Sequence, residues 1–175
     1  NKGIECIEAM QLFGMPHDRV GAVIHPGSLV HGIVFFMDGT AKMLACRPDM
    51  RIPAASALAW PDRLPAAEFE EFAHLDMDGA FYEFSAPDET RFPCFRLALE
   101  AGRLGGAYPP LLVGADERVV KSFLEGRISF LSISNIIEKV LEKYSGPGPA
   151  SLGDALSLIS LGERMAGELC GAAGG

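Results

Sequence analysis

The first residues of the chain place polar and charged groups at helical spacing. Asn1 and Lys2 open a run of periodic apolar residues, and Glu5 follows about one turn later. Asn is a favoured N-cap, and the free N–H groups of a first helical turn attract anions, so Asn1 and Lys2 could seat a phosphate. Glu5 could add an oxygen ligand to Mg²⁺ or Mn²⁺ bound beside it. On spacing alone, a capped helix start with a solvated lysine is the commoner explanation.

Two further places carry residue types that could do chemistry. His25 and His31 flank a predicted loop and strand, but histidines beside apolar strands are more often hydrogen-bonded structural residues than metal ligands. Pro48, Asp49 and Met50 join a predicted strand to a predicted helix, with Asp49 as the capping residue.

Hydrophobic periodicity and turn residues predict the elements that must position these side chains. Asp38-Gly39 lies between two apolar runs and predicts a hairpin in which both turn residues can take positive φ. In the first ninety residues we predict helices at 1–13 and 50–60 and strands at 20–25, 31–37, 43–46 and 80–84.

From Pro93 onward the pattern is helical, interrupted by Gly and Pro pairs. The predicted helices cover 93–103, 109–125, 132–145 and 151–170. Short loops between such helices indicate a four-helix bundle. The predicted fold class is therefore α+β: a partial catalytic domain with a small β-sheet and flanking helices, followed by a C-terminal four-helix bundle. The expected domains are 1–63, a connecting segment at 64–92, and the bundle at 93–175.

Composition narrows the class of protein. The net charge of −8 leaves no cationic excess for binding nucleic acid or an anionic membrane. Four widely spaced cysteines without a C-x-x-C pair indicate buried thiols in a reducing compartment. We expect a soluble protein without a membrane span or signal peptide. The absence of an initiator Met leads us to expect either a fragment of a longer protein or a processed product.

Five sequence blocks follow one another along residues 1–61. They are Asn1-Lys2-Gly3-Ile4-Glu5-Cys6-Ile7-Glu8-Ala9, His25-Pro26-Gly27-Ser28-Leu29-Val30-His31, Asp38-Gly39-Thr40, Pro48-Asp49-Met50-Arg51-Ile52-Pro53 and Ala57-Leu58-Ala59-Trp60-Pro61. In this order they resemble the 1-deoxy-D-xylulose 5-phosphate reductoisomerase family, and the Pro-Asp-Met-Arg and Ala-Leu-Ala-Trp-Pro blocks are the most specific. The resemblance covers about residues 1 to 145, and Arg91-Phe92-Pro93-Cys94 is similar to the family's entry into its C-terminal helices.

The resemblance implies an activity and roles for these residues. Family members rearrange the carbon skeleton of 1-deoxy-D-xylulose 5-phosphate with the help of Mg²⁺ or Mn²⁺. They then reduce the product with NADPH to 2-C-methyl-D-erythritol 4-phosphate in non-mevalonate isoprenoid biosynthesis. Asn1, Lys2 and Glu5 match substrate-binding residues, and Glu5 matches the last of three acidic metal ligands. His31, Pro48 and Met50 match residues that support or wall the pocket.

Some residues differ from the family pattern, and some parts of the family lie outside the matched region. Gly27 replaces the Gln common in His-Pro-Gln-Ser, and the segment 113–117 reads Val-Gly-Ala-Asp-Glu where the family usually has Asn-Ala-Ala-Asn-Glu. The family's NADPH-binding domain, its other two acidic ligands and its Ser-bearing phosphate loop precede the matched region. We therefore expect the 175 residues by themselves to be inactive.

Two other functions stay open. The chain could be a non-catalytic dimerisation or interaction module, or a metal-dependent phosphosugar isomerase or aldolase without the reductase step. The resemblance implies a homodimer formed through the catalytic-domain sheet, a phosphosugar substrate, and a location in the bacterial cytosol or the plastid stroma.

Overall fold

The computed structural model describes residues 1–65 and 75–173. They form two compact units, which we call the helical unit (Asn1–Ala22 and Pro87–Gly175) and the hairpin unit (Val23–Ala86). None of the helices in the described ranges is long and apolar enough to cross a membrane.

The helical unit holds five of the α-helices. A short 3₁₀ turn at His17–Arg19 follows the first of them. The helices are α1 (Lys2–Phe13), α3 (Pro93–Leu104), α4 (Tyr108–Leu124), α5 (Ser132–Lys143) and α6 (Leu152–Ala173), with α2 belonging to the hairpin unit.

The four predicted helices of the bundle are confirmed with bounds that differ by at most three residues. Pro93 occupies the first position of α3, where a missing N–H costs no hydrogen bond. Gly105 ends that helix with φ of 64°, a conformation that glycine takes without a Cβ clash. Gly and Pro thus mark these borders in the sequence because they act on the backbone locally.

The bundle core is centred on α4, which packs against α6, α5 and α3. Its innermost side chains, Leu111 and Val119 on α4 and Ile137 and Val140 on α5, are almost fully buried. Burying each such side chain stabilises the fold by roughly 1.5–3 kcal/mol relative to leaving it exposed.

Two glycines allow α4 and α6 to touch along their backbones. A Cβ at Gly114 would lie 2.7 Å from the carbonyl carbon of Ile159 and 3.0 Å from the amide nitrogen of Glu163. On the other helix, a Cβ at Gly162 would meet the carbonyl carbon of Leu111 at 3.1 Å. Each glycine therefore faces the backbone of the partner helix with no room for a methyl group.

The first helix, α1, packs against α3 rather than standing with the hairpin. Its buried face consists of Gly3, Cys6, Ile7 and Met10, and a Cβ at Gly3 would collide with the side chain of Ala98. Gly14 ends the helix in the left-handed conformation, as the sequence indicated.

The compact units therefore cut the chain differently from the expected domains, since α1 lies with the bundle and the hairpin unit runs to Ala86. The domain division at 63 and 92 stays a prediction, and part of its connecting segment, residues 66–74, lies outside the described residues.

The hairpin unit contains a two-stranded antiparallel sheet of β1 (Val30–Phe35) and β2 (Ala41–Ala45). Its turn is the predicted one, but only Gly39 has positive φ, at 84°. Asp38 instead accepts hydrogen bonds from the backbone N–H and the hydroxyl of Thr40, both through Oδ1. Such an Asx turn explains why Asp and Gly together close the hairpin.

Two predicted strands were wrong. Neither 20–25 nor 80–84 forms a ladder; instead Ile24 and Ser85 make one isolated antiparallel bridge. These segments have strand-like composition, but composition does not supply a continuous partner. The predicted helix at 50–60 is confirmed as α2 (Arg51–Ala59).

Candidate active site

Asn1, Lys2 and Glu5 meet around one carboxylate at the start of α1. The Asn1 side-chain amide donates a hydrogen bond to Glu5 Oε1, and Lys2 Nζ lies 2.5 Å from Glu5 Oε2. Asn1 occupies the N-cap position, but its side chain makes no capping hydrogen bond to the helix backbone. The ordinary capped start is therefore wrong for the Asn1 side chain: its NH₂ donates to Glu5, and its Oδ1 accepts no hydrogen bond from the first helical N–H groups.

The apolar face of α1 determines where this cluster points. With Gly3, Cys6 and Ile7 packed inward, Glu5 keeps 42% of its side chain exposed and Lys2 keeps 70%. The cluster therefore stays open to ligands while the helix backbone beneath it is fixed by packing.

The neighbouring thiol does not join this site as a ligand. Burial raises the pKa of the Cys6 thiol, and the negative charge of Glu5 raises it further. The thiolate form, which is the one that binds metals, is therefore disfavoured. Among the described residues, no three His, Cys, Asp or Glu side chains stand together as a metal site. The described residues therefore offer no complete set of protein ligands for a divalent cation at Glu5.

His31 acts within the hairpin unit. Its Nε2 hydrogen-bonds with the carbonyl oxygen of Cys46 at 3.1 Å, and the Cys46 amide donates to the carbonyl of Leu29. Since a carbonyl only accepts, Nε2 carries the proton in this bond. His31 therefore ties the end of β2 to the start of β1, just before Pro48.

His25 also has a structural partner. Its Nδ1 donates to the Glu83 carbonyl at 2.9 Å, and its ring lies 5.0 Å from that of Phe84, centroid to centroid. Gly27 lies beside the ring, where a Cβ would approach Nε2 to 3.3 Å. Because Gly27 has no side chain, only backbone lies beside the His25 ring at this position. The Nε2 atom of His25 is buried without a hydrogen-bond partner among the described residues.

Pro48 and Met50 are both exposed, Met50 by 81%. Between them Asp49 accepts a hydrogen bond from the Arg51 backbone N–H at 2.9 Å, which makes an Asx turn just before α2, while Met50 occupies the N-cap position that was predicted for Asp49. Its side-chain hydrogen bonds with Arg51 lower the pKa of Asp49 to about 2. The carboxylate is therefore ionised throughout the neutral range.

The pairing of Asp49 with the Arg51 guanidinium was missed from the sequence. The signal was present, since Asp two residues before the first helical residue is typical of an Asx turn, but nothing local indicates that the arginine folds back. Of the predicted site residues, Asn1, Lys2 and Glu5 come together in the helical unit. His31, Pro48 and Met50 all lie in the hairpin unit.

A model of the DXP reductoisomerase C-terminal domain family matches residues 45–162, which is most of the chain. The chain belongs to this family. The predicted resemblance is thereby confirmed, and so is the α+β fold class.

Named relatives agree with the family. Over the whole of this chain, a 1-deoxy-D-xylulose 5-phosphate reductoisomerase of Rhodospirillum centenum is 42% identical, and the match covers 43% of that protein. One from Pseudomonas syringae pv. syringae is 46% identical over 81% of this chain and 35% of its own length.

Solved structures of the reductoisomerase share the fold. The enzyme from Zymomonas mobilis in complex with NADPH superposes with a TM-score of 0.87 at 37% identity, over 97% of this chain and 44% of that one. A DOX-P reductoisomerase in complex with NADPH, fosmidomycin and magnesium superposes with a TM-score of 0.86 at 32% identity. That match covers 98% of this chain and 43% of the other one. The chain thus spans less than half the length of these relatives.

Proposed function

We propose that these residues form the later part of a reductoisomerase that converts 1-deoxy-D-xylulose 5-phosphate to 2-C-methyl-D-erythritol 4-phosphate with NADPH and a divalent cation. The observation that carries the proposal is the cluster of Asn1, Lys2 and Glu5 on an exposed helix start. Family membership and the NADPH and magnesium complexes of similar proteins support it.

In this proposal Lys2 and Asn1 bind the phosphate and hydroxyl groups of the substrate. Lys2 supplies a mobile ammonium, and Asn1 supplies an amide that can donate or accept a hydrogen bond. Both donors rest on Glu5 in the structure, so binding a cation at Glu5 would release them toward an anionic ligand. The bound cation supplies Lewis-acid chemistry and the nicotinamide supplies a hydride.

Glu5 contributes one carboxylate, and Mg²⁺ or Mn²⁺ needs further oxygen ligands. We propose that these come from the part of the relatives that this chain does not match. For the same reason we propose that the 175 residues by themselves are inactive.

The test uses the complete gene product that contains these residues. NADPH oxidation is followed by absorbance with 1-deoxy-D-xylulose 5-phosphate, with and without MgCl₂ or MnCl₂. Glu5→Gln should reduce the rate of metal-dependent turnover on the order of a hundredfold or more, since it removes a charged ligand. Glu8→Gln is the matched control, because Glu8 is an exposed acid on the same helix. Isomerised sugar phosphate without NADPH consumption would instead favour an isomerase.

We further propose that His31, Pro48 and Met50 support or line the cofactor and substrate pocket. The fixed Cys46 carbonyl, held by His31 at 3.1 Å, supports this role for the segment that follows. Replacing His31 by Gln retains a side-chain donor, so His31→Gln should keep more activity than His31→Ala if the hydrogen bond is what matters.

The sheet supports a second proposal, that two copies of the chain pair through the hairpin. Both strands carry exposed apolar side chains: Val34, Phe35, Met43 and Leu44. Such a surface is typical of an interface, and it also fits a non-catalytic dimerisation module. In size-exclusion chromatography with light scattering, Leu44→Glu should shift a dimer to monomer. Phe81→Glu changes an exposed apolar residue outside the strands and serves as the control.

A location in the bacterial cytosol or plastid stroma and the absence of nucleic-acid and membrane partners stay predictions. Cell fractionation with an antibody to the chain would test the predicted location. Retention on heparin would contradict the predicted absence of nucleic-acid partners.

A further inference from the structure

Asp49 and Arg51 close a short loop around Met50. Besides accepting the Arg51 backbone N–H at 2.9 Å, the Asp49 carboxylate accepts from the guanidinium. Arg51 Nε lies 3.0 Å from Oδ1, and Nη2 lies 2.6 Å from Oδ2. Two parallel bonds of this kind fix both side chains in one plane.

The backbone on either side of Met50 is held as well. The Asp49 amide donates to the carbonyl of Arg47 at 2.8 Å, and the Asp49 carbonyl accepts from Ile52 at 3.1 Å. Met50 itself is 81% exposed, so packing does not fix its side chain. The direction in which Met50 leaves the surface is therefore determined by the hydrogen bonds of Asp49.

We propose that Asp49 is a positioning residue that presents Pro48 and Met50 to NADPH. This inference rests on the proposed function, in which those two residues wall the pocket. Asp49 does not contact the cofactor in this role; it orders the loop before binding, so that less conformational entropy is lost when the cofactor arrives.

The experiment measures steady-state kinetics and melting temperature of the complete gene product. Asp49→Ala should raise the KM for NADPH on the order of fivefold, the loss expected when the hydrogen bonds of this turn are removed. Asp49→Asn keeps an acceptor for the Arg51 amide and should give a smaller effect.

Asp88→Ala is the matched control. Asp88 makes the same Asx turn, accepting the Thr90 amide at 2.9 Å, but lies in the helical unit and outside the proposed pocket. It should lower the melting temperature about as much as Asp49→Ala and leave the KM for NADPH unchanged. A merely structural role for Asp49 would make the two variants alike.

An unchanged KM for NADPH in Asp49→Ala overturns the inference while leaving the proposed function intact. If Asp49→Ala does not fold, Arg51→Lys decides, since it keeps the positive charge but loses the planar fork. An unchanged KM in Arg51→Lys likewise overturns the inference. If the wild-type protein neither binds nor oxidises NADPH, the proposed function fails and the inference fails with it.

Discussion

Replacing Gly114 by Ala should destabilise the bundle. A Cβ there would lie 2.7 Å from the carbonyl carbon of Ile159, about 0.7 Å short of the 3.4 Å at which ordinary contact begins. The obstacle is backbone, which cannot rotate away, so α6 must move as a whole. The methyl group therefore has to push two packed helices apart.

The size of the expected loss in the free energy of unfolding follows from two opposed effects. Overpacking a well-packed interface costs about 1–3 kcal/mol, and a gap of 0.5–1 Å along the rest of the interface weakens its dispersion contacts by a quarter to a half. The higher helix propensity of Ala returns about 1 kcal/mol. Taking the upper end of the overpacking range, we expect Gly114→Ala to lower the free energy of unfolding by about 2 kcal/mol.

Urea unfolding of the 175-residue chain, followed by circular dichroism at the helical band, measures this change. Gly171→Ala is the control, because Gly171 lies in α6 with no atom within 4 Å of its would-be Cβ. It should be neutral or slightly stabilising. Gly162→Ala should behave like Gly114→Ala, and the double variant should cost less than the sum, since one displacement of α6 relieves both.

Equal urea midpoints of unfolding for Gly114→Ala and Gly171→Ala would refute the reasoning, because they would mean that α4 and α6 are not in backbone contact. A changed slope with urea would instead indicate a more open folded or unfolded state.

Three further predictions concern single groups and the isolated chain. Ser122→Ala should raise the free energy of unfolding by about 1 kcal/mol, because the fully buried hydroxyl has no partner among the described residues and costs desolvation; a loss of stability in the same urea assay would contradict this. Burial raises the pKa of Asp116, so its folded form binds the proton more tightly and stability declines as pH rises above about 4 toward the folded pKa. Asp116→Asn should therefore be more stable than the wild type at pH 7 and nearly equal to it below about pH 4; a constant difference would exclude this cause. The 175 residues alone should show no NADPH oxidation with the deoxyxylulose phosphate and Mg²⁺, and measurable turnover would contradict the expected inactivity.

The helical bundle could be predicted from the sequence because its borders depend on local chemistry. Pro93, Gly105 and the Gly-Pro segment at 146–149 act on the backbone of their own residues. The crossing of Gly114 with Ile159 could not be predicted, since neither residue carries a local sign of its distant partner. Close approach of two helices is a property of the pair.

The residues of the candidate site could be named from the sequence, but their contacts could not be predicted. Family blocks indicated Asn1, Lys2 and Glu5, whereas local rules favoured Asn1 as an ordinary cap. In the structure the Asn1 side-chain NH₂ donates to the Glu5 carboxylate, a charged acceptor one turn away, and its Oδ1 accepts no hydrogen bond from the helix N–H groups. The wrong strands at 20–25 and 80–84 have a similar origin, since strand propensity says nothing about whether a partner edge exists.

The contact between Gly3 and Ala98 ties local unfolding of the site helix to that of the bundle. Because α1 covers α3 through a glycine with no spare volume, α1 cannot open without exposing the apolar face of α3 to water. Amide hydrogens around Glu5 should therefore exchange with solvent at a rate governed by the bundle rather than by fraying of a terminal helix. The arrangement of Asn1, Lys2 and Glu5 therefore lasts only as long as the helices beneath them stay closed.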